Sequence, residues 1–251
     1  TSDLIASVYV DPFTNFGNMI DKNIGDMENK GIEFSINADI VKTKDFDWSF
    51  GYNIAYNDNK IVNLKNDNYV GGIDGGTGIN IQVHKEGHTP FSYLVYKQIY
   101  DANGKPIEGA YVDQNGDNQI NDADLICFKK AAPDVFMGLT SQLSYKNWDF
   151  SFALRGSFGN YVYNNVQSNR EAYEGANMYD QTGFLKNRLT SARSTDFKNA
   201  QYRSSYYVQN ASFVRMDNIS LGYTFNKLFN DKQSARVYAT VQNPFVITKY
   251  K

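Results

Sequence analysis

The chain has 251 residues, a net charge of -2 and a pI near 5.7, with lysine and arginine scattered along it rather than clustered. No basic stripe is available to neutralise phosphates, which sets nucleic acid aside as a partner. Mean hydropathy is -0.53 and no apolar run approaches the roughly 20 residues a spanning helix needs, so a helical membrane protein is excluded as well.

A single cysteine, Cys127, forbids an internal disulfide, and 19 glycines with 5 prolines are too few for a collagenous or linker-like chain. Residues 1–10 lack the basic start and apolar core of a signal peptide, which for an exported protein implies a processed or truncated start.

In chain order, residues 2–10 read as a strand that ends in a loop through Asp11, Pro12, Gly17 and Gly25. Residues 30–41 follow, with Ile32, Phe34, Ile36, Ala38 and Ile40 facing one way and Glu33, Ser35, Asn37 and Asp39 the other. A tight connection at 42–45 leads to the clearest stretch, 46–57. There Phe46, Trp48, Phe50, Tyr52, Ile54 and Tyr56 alternate with Asp47, Ser49, Gly51, Asn53 and Asn57. Successive side chains of a strand point to opposite faces, so this is one apolar and one polar face. A hydropathy average hides such a strand, because only every second residue is apolar.

Residues 66–133 are long and polar, opening with Gly71, Gly72, Gly75, Gly76 and Gly78. Within them 91–100 and 107–112 are predicted to pair across Ala102, Asn103 and Gly104. His84 and His88 stand four apart, but Gly87, Thr89 and Pro90 oppose the helix that would turn both toward one zinc ion.

The sharpest local motif is the acidic loop 113–124. Oxygen donors at its first, third, fifth, ninth and twelfth positions, with a main-chain carbonyl at the seventh, are what a calcium loop supplies. Here they are Asp113, Asn115, Asp117, Gln119 through its main chain, Asn121 and Asp124. Asn118 stands where the sharp turn prefers glycine, and Asp124 is shorter than the usual glutamate. The alternative is a turn held by Asx hydrogen bonds without metal. The acidic pair Asp122 and Asp124 has no surrounding cleft of raised-pKa carboxylates to support glycosidase chemistry, and no other feature reads as an enzyme. Cys127 beside Phe128 reads as a small apolar residue rather than a nucleophile.

Residues 135–145 form the next alternating strand, with Val135, Met137, Leu139 and Leu143 against Gly138, Thr140, Gln142 and Ser144. Lys146 and Asn147 turn it into 148–158, where Trp148, Phe150, Phe152, Leu154 and Phe158 oppose Asp149, Ser151, Arg155 and Ser157. The period disappears over 160–204. It returns in 205–225 through Ile219, Leu221, Tyr223 and Phe225, and ends with 235–245, where Val237, Ala239 and Val241 face outward. Connections at 42–45, 146–147 and 226–234 are short, while those at the other end run to dozens of residues. Bacterial outer-membrane barrels segregate their turns and loops in this way.

Five stretches carry a family resemblance: 28–40 (ENKGIEFSINADI), 47–64 (DWSFGYNIAYNDNKIVNL), 132–160 (APDVFMGLTSQLSYKNWDFSFALRGSFGN), 210–225 (NASFVRMDNISLGYTF) and 236–250 (RVYATVQNPFVITKY). In this order they resemble the SusC/RagA group of TonB-dependent outer-membrane transporters. The resemblance implies an all-β fold of antiparallel transmembrane strands belonging to a barrel of about 22, with residues 1–251 as a C-terminal portion lacking the plug domain and the last strand. Pro244 departs from the family's usual Leu and reads as a strand end.

The resemblance further implies an importer in the outer membrane of a Gram-negative bacterium. It would take up oligosaccharides or peptides with a SusD-like lipoprotein as lid and with energy from TonB, contacted through the N-terminal region. Asp39, Asp47, Asn53, Asp149 and Arg155 would line the wet interior. Tyr93, Tyr96, Tyr100, Tyr161, Tyr163, Tyr173 and Tyr179 would stack on sugars, pack against the lipoprotein, or pack the loops onto one another. The rival reading is a secreted, calcium-dependent glycan-binding β-sandwich, which would bury the aromatic faces against a second sheet.

Overall fold

An amphipathic strand needs neighbours for its main chain and two different surroundings for its faces. The computed structural model describes residues 2–9, 17, 19–72, 80–173, 183–184, 187–228 and 233–250. Its strands are β1 (Ser2–Tyr9), β2 (Met19–Lys42), β3 (Phe46–Leu64), β4 (Asn68–Gly72), β5 (Asn80–His84), β6 (Ser92–Tyr96), β7 (Gln98–Tyr100), β8 (Pro106–Tyr111), β9 (Leu125–Lys130), β10 (Val135–Tyr145), β11 (Trp148–Phe158), β12 (Tyr161–Tyr163), β13 (Val208–Asn210), β14 (Phe213–Leu228) and β15 (Gln233–Thr248). Short helices α1 (Asn165–Arg170) and α2 (Ala192–Thr195) complete the regular structure, with 3-10 turns at Asp122–Asp124 and Ser205–Tyr207.

A seven-stranded sheet runs in the order β1-β2-β3-β10-β11-β14-β15. Strand β10 pairs antiparallel with both β3 and β11, β11 with β14, and β14 with β15. The chain divides into two compact units. One, the wall unit, holds Lys30–Asp58, Pro133–Asn160 and Asn210–Lys251; the other, the excursion unit, holds Thr1–Asn29, Asn59–Ala132 and Tyr161–Gln209.

Register makes the wall's apolar face continuous. Leu143 lies opposite Trp48 and Phe150, Phe150 opposite Leu221, and Leu221 opposite Ala239. The next row joins Phe50, Ser141, Phe152, Ile219 and Val241. Ser141 is the one hydroxyl in that row, and it accepts a 3.0 Å hydrogen bond from the Trp48 indole. At the short-turn end Phe46, Tyr145, Trp148 and Tyr223 form an aromatic row, with ring contacts between Phe46 and Tyr145 and between Trp148 and Tyr223. Ten residues separate Phe46 from Tyr56 at the other end of β3. That is about 34 Å along a strand, or about 26 Å in height at a tilt near 40°, which matches the apolar band of an outer-membrane barrel.

No apolar side chain of the wall unit is buried among the described residues; every buried hydrophobic belongs to the excursion unit. Trp48, Phe50, Phe150 and Phe152 are all partly accessible, and Trp148 is 48% exposed. This overturns the sandwich reading, whose second sheet would have closed over these rings.

Two of the predicted strands are longer than their alternation. The second begins at Met19, so Gly25 lies within β2 rather than in a loop, paired with Leu4 of β1. A Cβ at Gly25 would collide with the Asn63 carbonyl oxygen, so close backbone approach explains this glycine. Strand β3 likewise continues to Leu64. These extensions are held by the main-chain ladder and carry no alternating signal. Strand β15 runs on through Pro244 to Thr248, which corrects the strand end expected there. Pro244 and Asn243, at a φ of 50°, sit where the β14–β15 register slips between Met216 and Asn218. Val10, Asp11, Pro12, Gly75, Gly76, Gly78 and Tyr179 lie outside the described residues.

The excursion unit has its own core, in which Ile81, Tyr93, Val95, Tyr163, Ala172, Phe197, Tyr207 and Val208 pack together. Its main sheet runs β4-β5-β6-β9. The predicted pairing of 91–100 with 107–112 holds only for β7 with β8, since β6 is taken by β5 and β9. Residues 160–204, without period in the sequence, contain β12, α1 and α2, and the strand expected at 205–225 is broken into a 3-10 turn, β13 and β14.

Candidate functional site

The wall's polar face carries the lumen residues expected from alternation. Asp47 lies opposite Ser144, Ser144 opposite Asp149, and Asn53 opposite Gly138. Asp149 receives two hydrogen bonds from Arg236, at 2.9 Å from Nε and 2.5 Å from Nη2. Gly222 lies beneath this pair: a Cβ there would come within 2.6 Å of Asp149 Oδ1 and 2.7 Å of Arg236 Nη2. Higher on the same face, Arg155 stands opposite Arg215, and Asp217 bridges them at 3.1 and 3.0 Å. Asp39 and Ser49, with Asn37, Gly51, Thr140 and Gln142, line a polar hollow of about 390 Å³.

Strict alternation misplaces Asp217. Counting back by twos from Leu221 and Ile219 would put Asp217 and Arg215 on the apolar face. A bulge between Met216 and Asn218 changes the phase, so Met216 joins Leu154 on the apolar side while Arg215 joins Arg155 on the polar side. The bulge thus hides Arg215 and Asp217 as polar-face residues, and Arg236 is a further polar-face residue not named from the sequence. For Arg236 the signal was present, because it alternates with Val237.

The acidic loop folds onto itself. Asp113 accepts from the Gly116 and Asn118 amides at 2.7 and 2.8 Å, Asn115 from Asp117 at 3.0 Å, and Asp117 from Gln119 at 2.8 Å. Asn121 caps the 3-10 turn through the Ala123 amide, and Asp124, fully buried, accepts from Gln114 and Asn121 at 2.8 and 2.9 Å. These main-chain bonds hold the Asp124 carboxyl below its ordinary range. The six residues named for calcium thus share one loop, and Asn118 adopts the left-handed φ of 62° that its turn position requires. Each side-chain oxygen named above already serves a loop amide, and no group of three His, Cys, Asp or Glu is placed to hold a metal among the described residues.

His84 ends β5 with its ring edge-on to Phe91, 4.5 Å between centroids, and burial lowers its pKa. His88 lies in the following turn, its carbonyl accepting from the Ile61 amide. Burial raises the half-buried Cys127 thiol, which suits an inert residue. The tyrosines divide. Tyr93 and Tyr163 are buried in the excursion core, where burial raises the Tyr163 phenol to about 12, while Tyr100 and Tyr173 are exposed. A polar part of this core has no signature in the sequence. Gln98 gives its amide to three carbonyls and accepts from Ser204 at 2.7 Å, and buried Glu171 accepts from Gln167 at 2.8 Å.

No protein-family model matches the chain. Over its full length it is 44% identical to the TonB-dependent receptor SusC of Bacteroides thetaiotaomicron, covering 26% of that protein. A solved structure of the RagAB peptide transporter shares the fold, with a TM-score of 0.73 at 22% identity over 99% of this chain and 29% of that one. The chain belongs to the SusC/RagA family. A second relative, TonB-dependent receptor P3 of Formosa agariphila, is 29% identical to this SusC-like chain over 100% of it and 27% of its own length. The SusC-like chain therefore spans little more than a quarter of the relatives it matches.

Proposed function

We infer that this SusC-like chain supplies a C-terminal part of the wall, and the outward excursions, of an outer-membrane importer coupled to TonB. The observation that carries the reading is the two-faced sheet: one predominantly aromatic and aliphatic side about 26 Å tall, whose Ser141 hydroxyl is paired with the Trp48 indole, and one side of hydrogen-bonded charges. Lipid suits the first and a water-filled lumen the second. The cargo is oligosaccharide or peptide, received with a SusD-like lipoprotein that covers the excursions. The plug and the segment that contacts TonB belong to the rest of the protein.

The test is energised uptake by cells carrying the full-length protein. Labelled oligosaccharides and peptides should accumulate only when TonB is present, the protein should fractionate with the outer membrane, and a lipoprotein should co-purify with it. Recovery in the soluble fraction, or uptake indifferent to TonB, would overturn the reading.

A further inference from the structure

The wall's apolar face is not uniform at the short-turn end. Across β11, β14 and β15 it opens into a groove of about 630 Å³, lined on this face by Trp148, Leu221, Tyr223, Phe225, Val237 and Ala239. Rings stand along one side of it, where Tyr223 contacts Trp148 and Phe225, each at 4.7 Å between centroids. Ala239 ends the row that Trp48, Leu143, Phe150 and Leu221 otherwise fill with bulk, so the groove follows from one small side chain.

The rim beyond the groove is basic although the chain as a whole is acidic. Connections 42–45, 146–147 and 226–234 carry five lysines against two aspartates, in a chain of net charge -2. Neighbouring turns are tied together: the Lys146 amide donates to the Asp45 carbonyl at 2.7 Å, and the Asn226 side chain donates to that of Asn147 at 3.2 Å. Lys42 follows Ile40 in the period of β2 and so continues the apolar face. Lys146 leans the same way. Its Nζ lies 5.4 Å from the centre of the Tyr145 ring, and Tyr145 stands directly opposite Trp148 of the groove. Lys42, Lys44, Lys146 and Lys227 are exposed and form no ion pair among the described residues. The acids close to them in register, Asp47 and Asp149, belong to the polar face, and Arg236 already holds Asp149.

We propose that this groove and rim form a binding site for an anionic diacyl phospholipid, of the phosphatidylglycerol type, in the leaflet that meets the short turns. The acyl chains occupy the groove, where Ala239 leaves room beside the rings. The phosphate is met by Lys146 and the lysines of the adjoining turns, whose aliphatic stems lie along apolar surface while their ammonium heads reach the interface. A zwitterionic lipid fills the same groove but gains less from the rim, because its own cation opposes the lysines. An acidic peptide would match the lysines without using a groove of this lining, so charge and apolar shape together favour lipid. The proposal rests on the apolar face being turned to the bilayer and adds a headgroup preference at one end of it.

The experiment adds phosphatidylglycerol or phosphatidylethanolamine of matched acyl chains to delipidated full-length protein in detergent and counts retained lipid by native mass spectrometry. Wild type should retain phosphatidylglycerol in preference. Lys146→Gln combined with Lys227→Gln should weaken that retention about ten-fold and leave phosphatidylethanolamine unchanged, whereas Lys146→Arg with Lys227→Arg should keep it. Ala239→Phe, which fills the groove with a residue at home in lipid, should weaken retention of both. Equal retention of the two lipids by wild type, or phosphatidylglycerol retention indifferent to the glutamine pair or to Ala239→Phe, would overturn the proposal, as would lysine-dependent capture of an oligoglutamate peptide in place of lipid. Headgroup preference without TonB-dependent uptake would sink only the import reading, and uptake without headgroup preference would sink only this one.

Discussion

Phe152 and Ser151 are neighbours in β11, and the two-faced wall predicts opposite consequences for the same substitution at each. Phe152 lies on the apolar face, four residues from the aromatic row at Trp148, or about 10 Å in height at a strand tilt near 40°. That is close to the middle of a band about 26 Å tall. An arginine there costs about 2–4 kcal/mol in a bilayer, whereas Ser151→Arg points into the lumen among polar neighbours and changes stability by about 0.5 kcal/mol or less. At 3 kcal/mol the folded-to-unfolded ratio falls more than about a hundred-fold. The assay is reversible denaturant unfolding of the full-length protein in lipid vesicles, with arginine scanned through β11 and β14. The cost should rise and fall with period two along β11 and slip by one residue in β14 at Asp217. Equal costs at Phe152 and Ser151, or a β14 profile that keeps its phase past Asp217, would refute the assignment of faces.

Other consequences concern single side chains. Asp217→Asn leaves Arg155 and Arg215 directly opposed; with both guanidinium groups partly solvated the cost should be about 0.5–1 kcal/mol in the same vesicle assay, and Arg215→Gln in the same chain should restore most of it. His84 has a folded pKa below its unfolded value of about 6.5, so its contribution is complete above that pH and is lost as pH falls toward the lowered value. Hydrogen exchange in β5 should accelerate over that window in wild type, and His84→Phe should flatten the dependence. Asp124 has the opposite chemistry but the same sign. Amide protection of Gln114 and Asn121 should be present above about pH 4 and disappear as pH drops through the depressed value, while Asp124→Ala should abolish it at neutral pH. Calcium should leave the exchange of these two amides unchanged; protection that rises on titration with the ion would show that the loop takes metal.

The wall was legible because lipid and water impose a period of two on residues 46–57, 135–145 and 148–158. Strands β10 and β11 were predicted to the residue. Legibility failed where other forces set the conformation. The first third of β2 is polar and is held by pairing with β1 and by the fit of Gly25 under Asn63, neither of which leaves an alternating trace. Asp217 was hidden by a bulge, which changes phase without changing composition. In the excursions, Tyr93, Phe197 and Tyr207 meet through contacts distant in sequence, so no local period announces them. The acidic loop was legible as a motif with two readings, because the spacing that suits a cation also suits a ladder of Asx bonds; that the loop positions Asp122 beside Arg203 is suggested by no sequence pattern.

The excursion core draws Ile81, Tyr93 and Val95 from one long connection and Tyr163, Phe197 and Tyr207 from another. Neither connection can be grafted onto a relative by itself, because each carries only half of an apolar interior. Chimeras meant to exchange recognition between homologues must move residues 59–132 and 161–209 as a matched set, and natural recombination that splits them would yield misassembled loops on an intact scaffold.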